Sequence, residues 1–243
     1  MKSRILVFFV HLVISTIVAL LAMFLVFKIW YPAPLHQLMG VEEIFYLVVG
    51  INVGIGPILT FIVYKPAKPS LWFDLTIIAL LQISALGYGL WTVYQGRPVW
   101  IVYNVDRFDV VRALDLDTRR WQKTPMAYRT HSWFGPEWVY AASPDDTEGR
   151  NTLTLESVFA GIDLPQRPDL YQPLENAGAK LQQHTLPLEM LAQHNLAEDV
   201  ERLKQRWPEA DAYIPLMYRE SSATVLINTE SAEVVGISPL QPW

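Results

Sequence analysis

The sequence contains no cysteine among its 243 residues. This absence excludes disulfide bonds, thiolate metal sites and cysteine nucleophiles together. Charged residues are also scarce, at 18% of the chain, against roughly 25% in a typical soluble domain. The net charge of −5 argues against a nucleic-acid partner, which would require a basic face. Hydrophobic residues make up 51% of the chain, which indicates a membrane-embedded part.

Three long apolar runs occupy residues 5–27, 44–64 and 71–94. Each is long enough to cross the bilayer, which takes about 20 helical residues. The first run exceeds the apolar region of a signal peptide, about 7–15 residues, and bulky residues and prolines follow it instead of a cleavage site. We therefore predict that it stays uncleaved and that residues 1–95 form a membrane domain of three transmembrane helices.

The short loops differ in positive charge. The amino terminus and the loop between the second and third runs each carry two Lys or Arg residues, whereas the loop between the first two runs has only Lys28. Short cytoplasmic loops retain Lys and Arg. We predict a multi-pass protein of the bacterial inner membrane, with a cytoplasmic amino terminus and a periplasmic domain at residues 96–243.

The second run contains small and polar residues that can join helices in lipid. Gly50 and Gly54 have GxxxG spacing, which lets helices approach closely. Asn52 and Gln82 are amides inside the second and third runs. One interpretation is contact among this chain's own helices. The other is a docking groove for the transmembrane helix of a partner, with the four residues as its binding site.

Residues 96–243 are predicted to form a small α+β domain. The strand candidates are 98–105, 136–143, 223–228 and 233–238, with alternating or continuous apolar residues. We predict a polar loop at 144–151, a helix from 151 capped by Thr152 or Thr154, and one long helix at 187–208. The whole chain is therefore α+β, with three membrane helices before the α+β domain.

Two groups in this domain are candidate partner sites. Asp106, Arg107 and Asp109 lie at the end of the first strand, either as a binding constellation or as an ion pair that fastens the strand end. Trp133 and Phe134, with Trp138 after a Gly-Pro turn, form either a recognition patch or part of the core.

The domain shows no pattern that indicates catalysis. No nucleophile elbow, phosphate-binding glycine loop or metal-ligand spacing is present. We expect no enzyme activity, no cofactor and no bound metal.

The whole chain resembles the type IV pilin accessory proteins (TfpX/TfpZ type). The resemblance lies in "WYPAPL", in the segment from "GPILTF" to "QGRPVW", and in "NVDRFDVVRA". It implies a non-enzymatic, chaperone-like role in pilus biogenesis, with type IV pilin and the lipid bilayer as partners. The chain lacks a prepilin peptidase site and so is not itself a pilin.

The resemblance leads to a specific hypothesis about the membrane helices. The second and third helices receive the pilin's membrane helix, and the outer domain contacts the pilin's head. Gly54→Leu is then expected to abolish pilin association. The alternatives are an envelope sensor or stabilising subunit with a ligand-binding outer domain, and a membrane-anchored envelope enzyme.

Overall fold

The structure is a computed structural model that describes all residues, 1–243. The chain divides into two compact units. The first unit contains Met1–Pro32 and Gly40–Gly96, and the second contains Ala33–Met39 and Arg97–Trp243. The short segment between the first two apolar helices therefore belongs to the second unit.

The first unit consists of three long helices. They are α1 (Lys2–Phe24, which continues as π-helix over Leu25–Trp30), α3 (Val41–Val63) and α4 (Leu71–Gln95). All three are long and apolar enough to cross a membrane, which confirms a membrane protein. Many of their large apolar side chains point outward, as expected for helices that face lipid.

Helix α3 is the central helix of this unit, because it packs against both α1 and α4. On the α1 side, the Phe8 and Phe61 rings meet edge to face with centroids 6.0 Å apart. On the α4 side, a Gln82 amide bonds to the α3 backbone. Pro57 lies inside α3, where it removes one backbone donor.

A sheet of eight strands organises the second unit. The strand order is β4-β3-β1-β2-β6-β7-β8, and β5 pairs with β6. The strands are β1 (Pro98–Asn104), β2 (Arg107–Arg112), β3 (Glu137–Ala141), β4 (Tyr171–Pro173), β5 (Leu186–Pro187), β6 (Ala212–Tyr218), β7 (Ser221–Asn228) and β8 (Glu233–Ser238). The helices are α2 (Leu35–Leu38), α5 (Thr147–Ala160), α6 (Gly178–His184) and α7 (Ala197–Arg206). This architecture confirms the α+β prediction.

Strand β1 is covered on both faces, as its apolar sequence predicts. All seven of its residues are buried. Its side chains alternate between two core clusters, with Ile101 in one and Trp100 in the other. Strict alternation would place Val99 beside Ile101, but Val99 joins Trp100, because the pairing register with β2 shifts between Pro98 and Trp100.

The start of α5 differs from the prediction. Residues 147–150, expected in a polar loop, form its first turn. The cap is Asp146, whose carboxylate accepts a hydrogen bond from the Gly149 amide at 2.6 Å. Thr152 and Thr154 lie within the helix and cap nothing. The short carboxylate fits the N-cap better than the expected threonines, because it also interacts favourably with the helix dipole.

The predicted long helix at 187–208 is two elements. A 3-10 segment, Leu188–Gln193, precedes α7. Leu196 occupies the N-cap position of α7 without a side-chain hydrogen bond, and its side chain is 71% exposed. Leu188, Leu191, Val200 and Leu203 are buried as the apolar spacing predicts. The same spacing predicts that Leu196 is buried, which is wrong, because the chain is not helical between the two elements and Leu196 precedes the first turn of α7. Four of the five apolar positions were therefore correct, although the helix continuity was not.

Helix α2 contributes two side chains to the core of the second unit. Leu35 and Leu38 are 1% and 9% exposed and belong to the cluster that contains Tyr103 and Phe108. The helix packs against β7. The stretch between α1 and α3 is thus a structural part of the second unit.

Candidate functional site

A groove of about 280 Å³ opens between α1 and α4 along one face of α3. Its apolar walls are Ile14, Val18 and Ala19 from α1 and Ala79, Ile83 and Leu86 from α4. Val49 and Asn52 of α3 form the floor. The wall of α1 from His11 to Ala19 spans about 12 Å at 1.5 Å per residue, which matches about two turns of a guest helix.

Four polar side chains line the groove. Asn52 and Gln82 line it together with His11 and Ser15. The Asn52 amide donates to the Val48 carbonyl at 3.0 Å, and the Gln82 amide donates to the Asn52 carbonyl at 2.9 Å. The structure therefore brings Asn52 and Gln82 together. His11 and Ser15 were not predicted, although their i,i+4 spacing in α1 is visible in the sequence.

The histidine in the groove is fixed by a neighbouring helix. The His11 Nδ1 atom lies 2.6 Å from the Thr60 hydroxyl of α3, and Thr60 is buried. This bond joins α1 to α3. An ionisable side chain inside a membrane helix is a candidate functional group by default.

Gly50 and Gly54 do not line the groove. Gly54 follows Asn52 by two residues, which places it about 200° around α3. A Cβ atom added at Gly50 or Gly54 would meet no atom within 4 Å. The close contacts among this chain's own helices occur instead at Gly56, whose added Cβ would lie 1.8 Å from Gln82 Nε2, and at Gly89, where it would lie 2.6 Å from Val48 Cγ1. Of the four predicted residues of the spans, Asn52 and Gln82 line the groove, whereas Gly50 and Gly54 lie on another face of α3.

In the second unit, Arg107 and Asp109 form the ion pair that the structural alternative requires. The Arg107 Nε atom is 3.2 Å from Asp109 Oδ2, and the Asn104 amide donates to the same oxygen at 2.6 Å. Burial raises the pKa of the Asp109 carboxyl, and these two contacts oppose the rise. Asp106 lies in the β1–β2 turn and is exposed.

Arg107 and Asp109 also line a charged pocket of about 420 Å³. Strands β2 and β6 pair only at Phe108–Leu216 and Asp109–Met217. The pocket also contains Arg112, Asp115, Asp163 and Arg219. Three arginines and three aspartates balance in charge, so the pocket suits a ligand or surface that carries both signs.

The predicted aromatic patch is split. Trp133 and Phe134 are 51% and 78% exposed. Trp138 instead packs against the core, with its ring edge to face with Phe108 at 5.3 Å. The difference arises because Trp138 lies in β3, which follows the Gly135-Pro136 turn, and its side chain points to the buried face of the sheet.

A buried ionic cluster was missed by sequence reasoning. The Arg167 side chain is 4% exposed and contacts Glu156 and Asp169 at 2.5 and 2.9 Å, with Asp117 at 3.9 Å. Hydrogen bonds from Arg119 lower the pKa of the Asp117 carboxyl. Glu156 belongs to α5, a helix without any buried residue. These ionic contacts fasten α5 to the unit, and no local pattern in the sequence pairs residues so far apart.

His131 is a second titratable group that the sequence did not single out. Its Nδ1 atom is 3.0 Å from Nη2 of Arg97, whose residue is 1% exposed. Burial and then the positive charge of Arg97 lower the pKa of His131. The neutral imidazole therefore accepts the hydrogen bond from the guanidinium at neutral pH. No group of three or more His, Cys, Asp or Glu side chains lies where it could hold a metal ion.

Comparison with known proteins identifies the family. The family model "Fimbrial assembly protein FimB" matches residues 1–40. A fimbrial assembly protein of Dichelobacter nodosus, serogroup E1, is 31% identical over 181 residues, which cover 74% of this chain and 70% of the relative. The chain belongs to the fimbrial assembly protein family. This confirms the predicted family of pilus accessory proteins and supports a role in fimbrial or pilus biogenesis.

Further relatives extend the similarity along the chain. The serogroup I fimbrial assembly protein of the same organism is 29% identical over 227 residues, covering 90% of this chain and 88% of the relative. The protein of serogroups C1 and C2 is 37% identical over 109 residues, or 44% of this chain and 83% of the relative. No solved structure matches the chain.

Proposed function

We propose that the protein is a non-catalytic accessory factor of type IV pilus biogenesis that holds the pilin subunit in the bacterial inner membrane before assembly. The groove between α1 and α4 receives the pilin's apolar membrane helix. The amino terminus lies in the cytoplasm and the second unit in the periplasm, where it contacts the pilin's head. The observation that carries this proposal is an open groove of about 280 Å³ in the membrane unit of a fimbrial assembly protein.

The position of the groove supports a helix as its occupant. Its two walls belong to α1 and α4, which each pack against α3. A guest helix placed there would contact both walls and the α3 floor. Its apolar walls match the apolar surface of a transmembrane helix, while close packing supplies most of the association energy in lipid.

Photo-crosslinking in membranes of pilin-producing cells tests this proposal. A benzophenone amino acid at Ile83, which lines the groove, is expected to give a pilin adduct. The matched control is Ile51, an exposed residue of α3 that does not line the groove. An adduct at Ile51 alone would place the pilin on the face of Gly54. A phospholipid adduct without pilin at Ile83 would refute the proposal.

Filling the groove provides a second test. Ala79→Leu adds bulk to the groove wall and is expected to abolish the pilin adduct. Ala85→Leu adds the same bulk to an exposed position of α4 outside the groove and should leave the adduct unchanged. Gly54→Leu, predicted from the sequence to abolish pilin association, tests which face of α3 binds the pilin. With the pilin in the groove it should have no effect.

The sensor alternative rests on a different observation, the charged pocket of about 420 Å³ in the second unit. We propose, as the second candidate, that this pocket binds a ligand that carries both charges. Arg219 is an exposed residue of the β6–β7 turn, and Arg219→Glu reverses one of the positive charges of the pocket. Under this alternative, the substitution would abolish the response of pilus assembly to envelope conditions and leave the Ile83 adduct intact.

A further inference from the structure

The groove contains polar side chains that an apolar guest would not require. Asn52 and Gln82 lie near the middle of α3 and α4. Because Gln82 bonds the Asn52 backbone, these two side chains lie at one depth, inside a groove whose walls are otherwise largely apolar. Polar groups at this depth cost free energy unless they have partners.

The observed hydrogen bonds determine which polar atoms of Asn52 and Gln82 remain available to a guest helix. The partners of the Asn52 and Gln82 amides are both backbone carbonyls, which only accept hydrogen bonds. Each side-chain NH₂ group must face its carbonyl, so each side-chain oxygen is turned elsewhere. Asn52 Oδ1 and Gln82 Oε1 form no hydrogen bond within the chain, and neither is enclosed. Asn52 is 9% exposed, so its oxygen has little access to anything except a molecule in the groove.

We propose that the two amide oxygens of Asn52 and Gln82 select a pilin whose membrane helix carries a Ser or Thr hydroxyl at matching depth. This inference rests on the proposed function. Two acceptors require a donor, and a charged donor would be costly in lipid. A hydroxyl is tolerated in a free membrane helix because it can bond to its own backbone. Thr76 and Thr92 of α4 do so, each bonding the carbonyl four residues earlier at 2.9 Å.

The test measures the yield of pilin adduct from a probe at Ile83. Asn52→Leu removes one acceptor at nearly constant volume and keeps the backbone carbonyl that Gln82 uses. Interhelical hydrogen bonds in membranes average about 0.6 and reach about 1.7 kcal/mol, so the adduct should fall between about 3-fold and about 15-fold. Gln82→Met is the second variant. Ser84→Ala removes a hydroxyl from an exposed position of α4 outside the groove and should have no effect.

The guest side of the bond is tested in the same assay. Each Ser or Thr of the pilin's membrane helix is replaced by Val in turn, in the wild-type and Asn52→Leu backgrounds. One replacement should lower the adduct by the same factor as Asn52→Leu and cause no further loss when combined with it. Coupling of this kind would support the inference.

The outcomes separate this inference from the proposed function. A wild-type pilin adduct that Asn52→Leu and Gln82→Met leave at full yield would overturn the hydroxyl selection and leave the groove proposal standing. Independent, additive effects of the pilin and groove substitutions would also overturn it. The absence of any wild-type adduct would overturn both.

Discussion

Gly56 and Gly54 provide a matched test of which glycine packs the membrane unit together. They lie two residues apart on α3, yet their surroundings differ. A Cβ atom at Gly56 would lie 1.8 Å from Gln82 Nε2 and 2.3 Å from its Cδ, whereas a Cβ atom at Gly54 would meet nothing within 4 Å. We predict that Gly56→Ala destabilises the membrane unit and that Gly54→Ala does not.

The expected magnitude follows from two effects. The Gln82 amide must move away, which breaks its bond to the Asn52 carbonyl and costs about 0.6 to 1.7 kcal/mol. Overpacking typically adds about 1 to 3 kcal/mol. The contacting atoms form the flexible end of Gln82, so we expect the lower part of that range and about 2 kcal/mol in total. Gly54→Ala should change the free energy of unfolding by less than about 0.5 kcal/mol.

Steric trapping of the full-length chain in bicelles measures this difference for the membrane unit alone. The chain has no cysteine, so Ser3→Cys and Ser70→Cys give two unique biotin sites at the starts of α1 and α4. Equal stability of Gly56→Ala and Gly54→Ala would refute the packing argument. A loss that persists undiminished when Gln82 is also replaced by Ala would refute the assigned cause, since the clash would then be gone.

Three further predictions concern the second unit of the full chain in detergent. Leu35→Ala should lower the free energy of unfolding by about 2 to 5 kcal/mol, because it leaves a cavity in the core; urea denaturation should show no such loss for exposed Gln37→Ala. Arg167→Met should cost about 3 kcal/mol, because it strands buried carboxylates, and hydrogen exchange should increase across α5. The lowered pKa of His131 means that the folded state binds fewer protons than the unfolded state. The melting temperature should therefore decrease as the pH is lowered below about 6.5, and it should decrease less steeply in the His131→Gln variant. A difference in melting temperature between the two proteins that does not change with pH would contradict this.

The sequence predicted elements wherever one periodicity dominated. The three spans, β1, β3 and the β7–β8 hairpin follow from apolar runs or alternation, and all are present. Strand β6 was missed because Pro215 lies within it, and a proline normally argues against a central strand. Only short stretches of β2 and β5 pair with β6 on one side, so a missing donor is tolerated there.

The candidate site was less predictable because it depends on which face of a helix each residue occupies. GxxxG spacing identifies small residues but not their neighbours. The internal contacts form instead at Gly56 and Gly89, which lie on different helices and share no local motif. Asn52 and Gln82 were recognisable as amides in lipid. Whether both side chains face the groove depends on how α3 and α4 are rotated about their own axes, and only the tertiary structure gives these rotations.

Under the proposed function, the two units would rely on different forces to recognise the pilin. Inside the bilayer, an apolar groove gains nothing from burying an apolar helix, because lipid tails are equally apolar. Fit and hydrogen bonds must therefore distinguish one helix from another. Under the proposed hydroxyl selection, the Asn52 amide oxygen would determine specificity despite the modest energy of its bond. In water, by contrast, the burial of an apolar side chain is itself favourable. Phe134 is 78% exposed, and covering such a ring contributes about 1.5 to 3 kcal/mol without any directional preference. A pilin that engages both units would gain specificity from the groove and affinity from the exposed Phe134 ring. Phe134→Ala should therefore lower the adduct yield of every pilin by the same factor. Asn52→Leu should instead reduce the difference in adduct yield between one pilin and another.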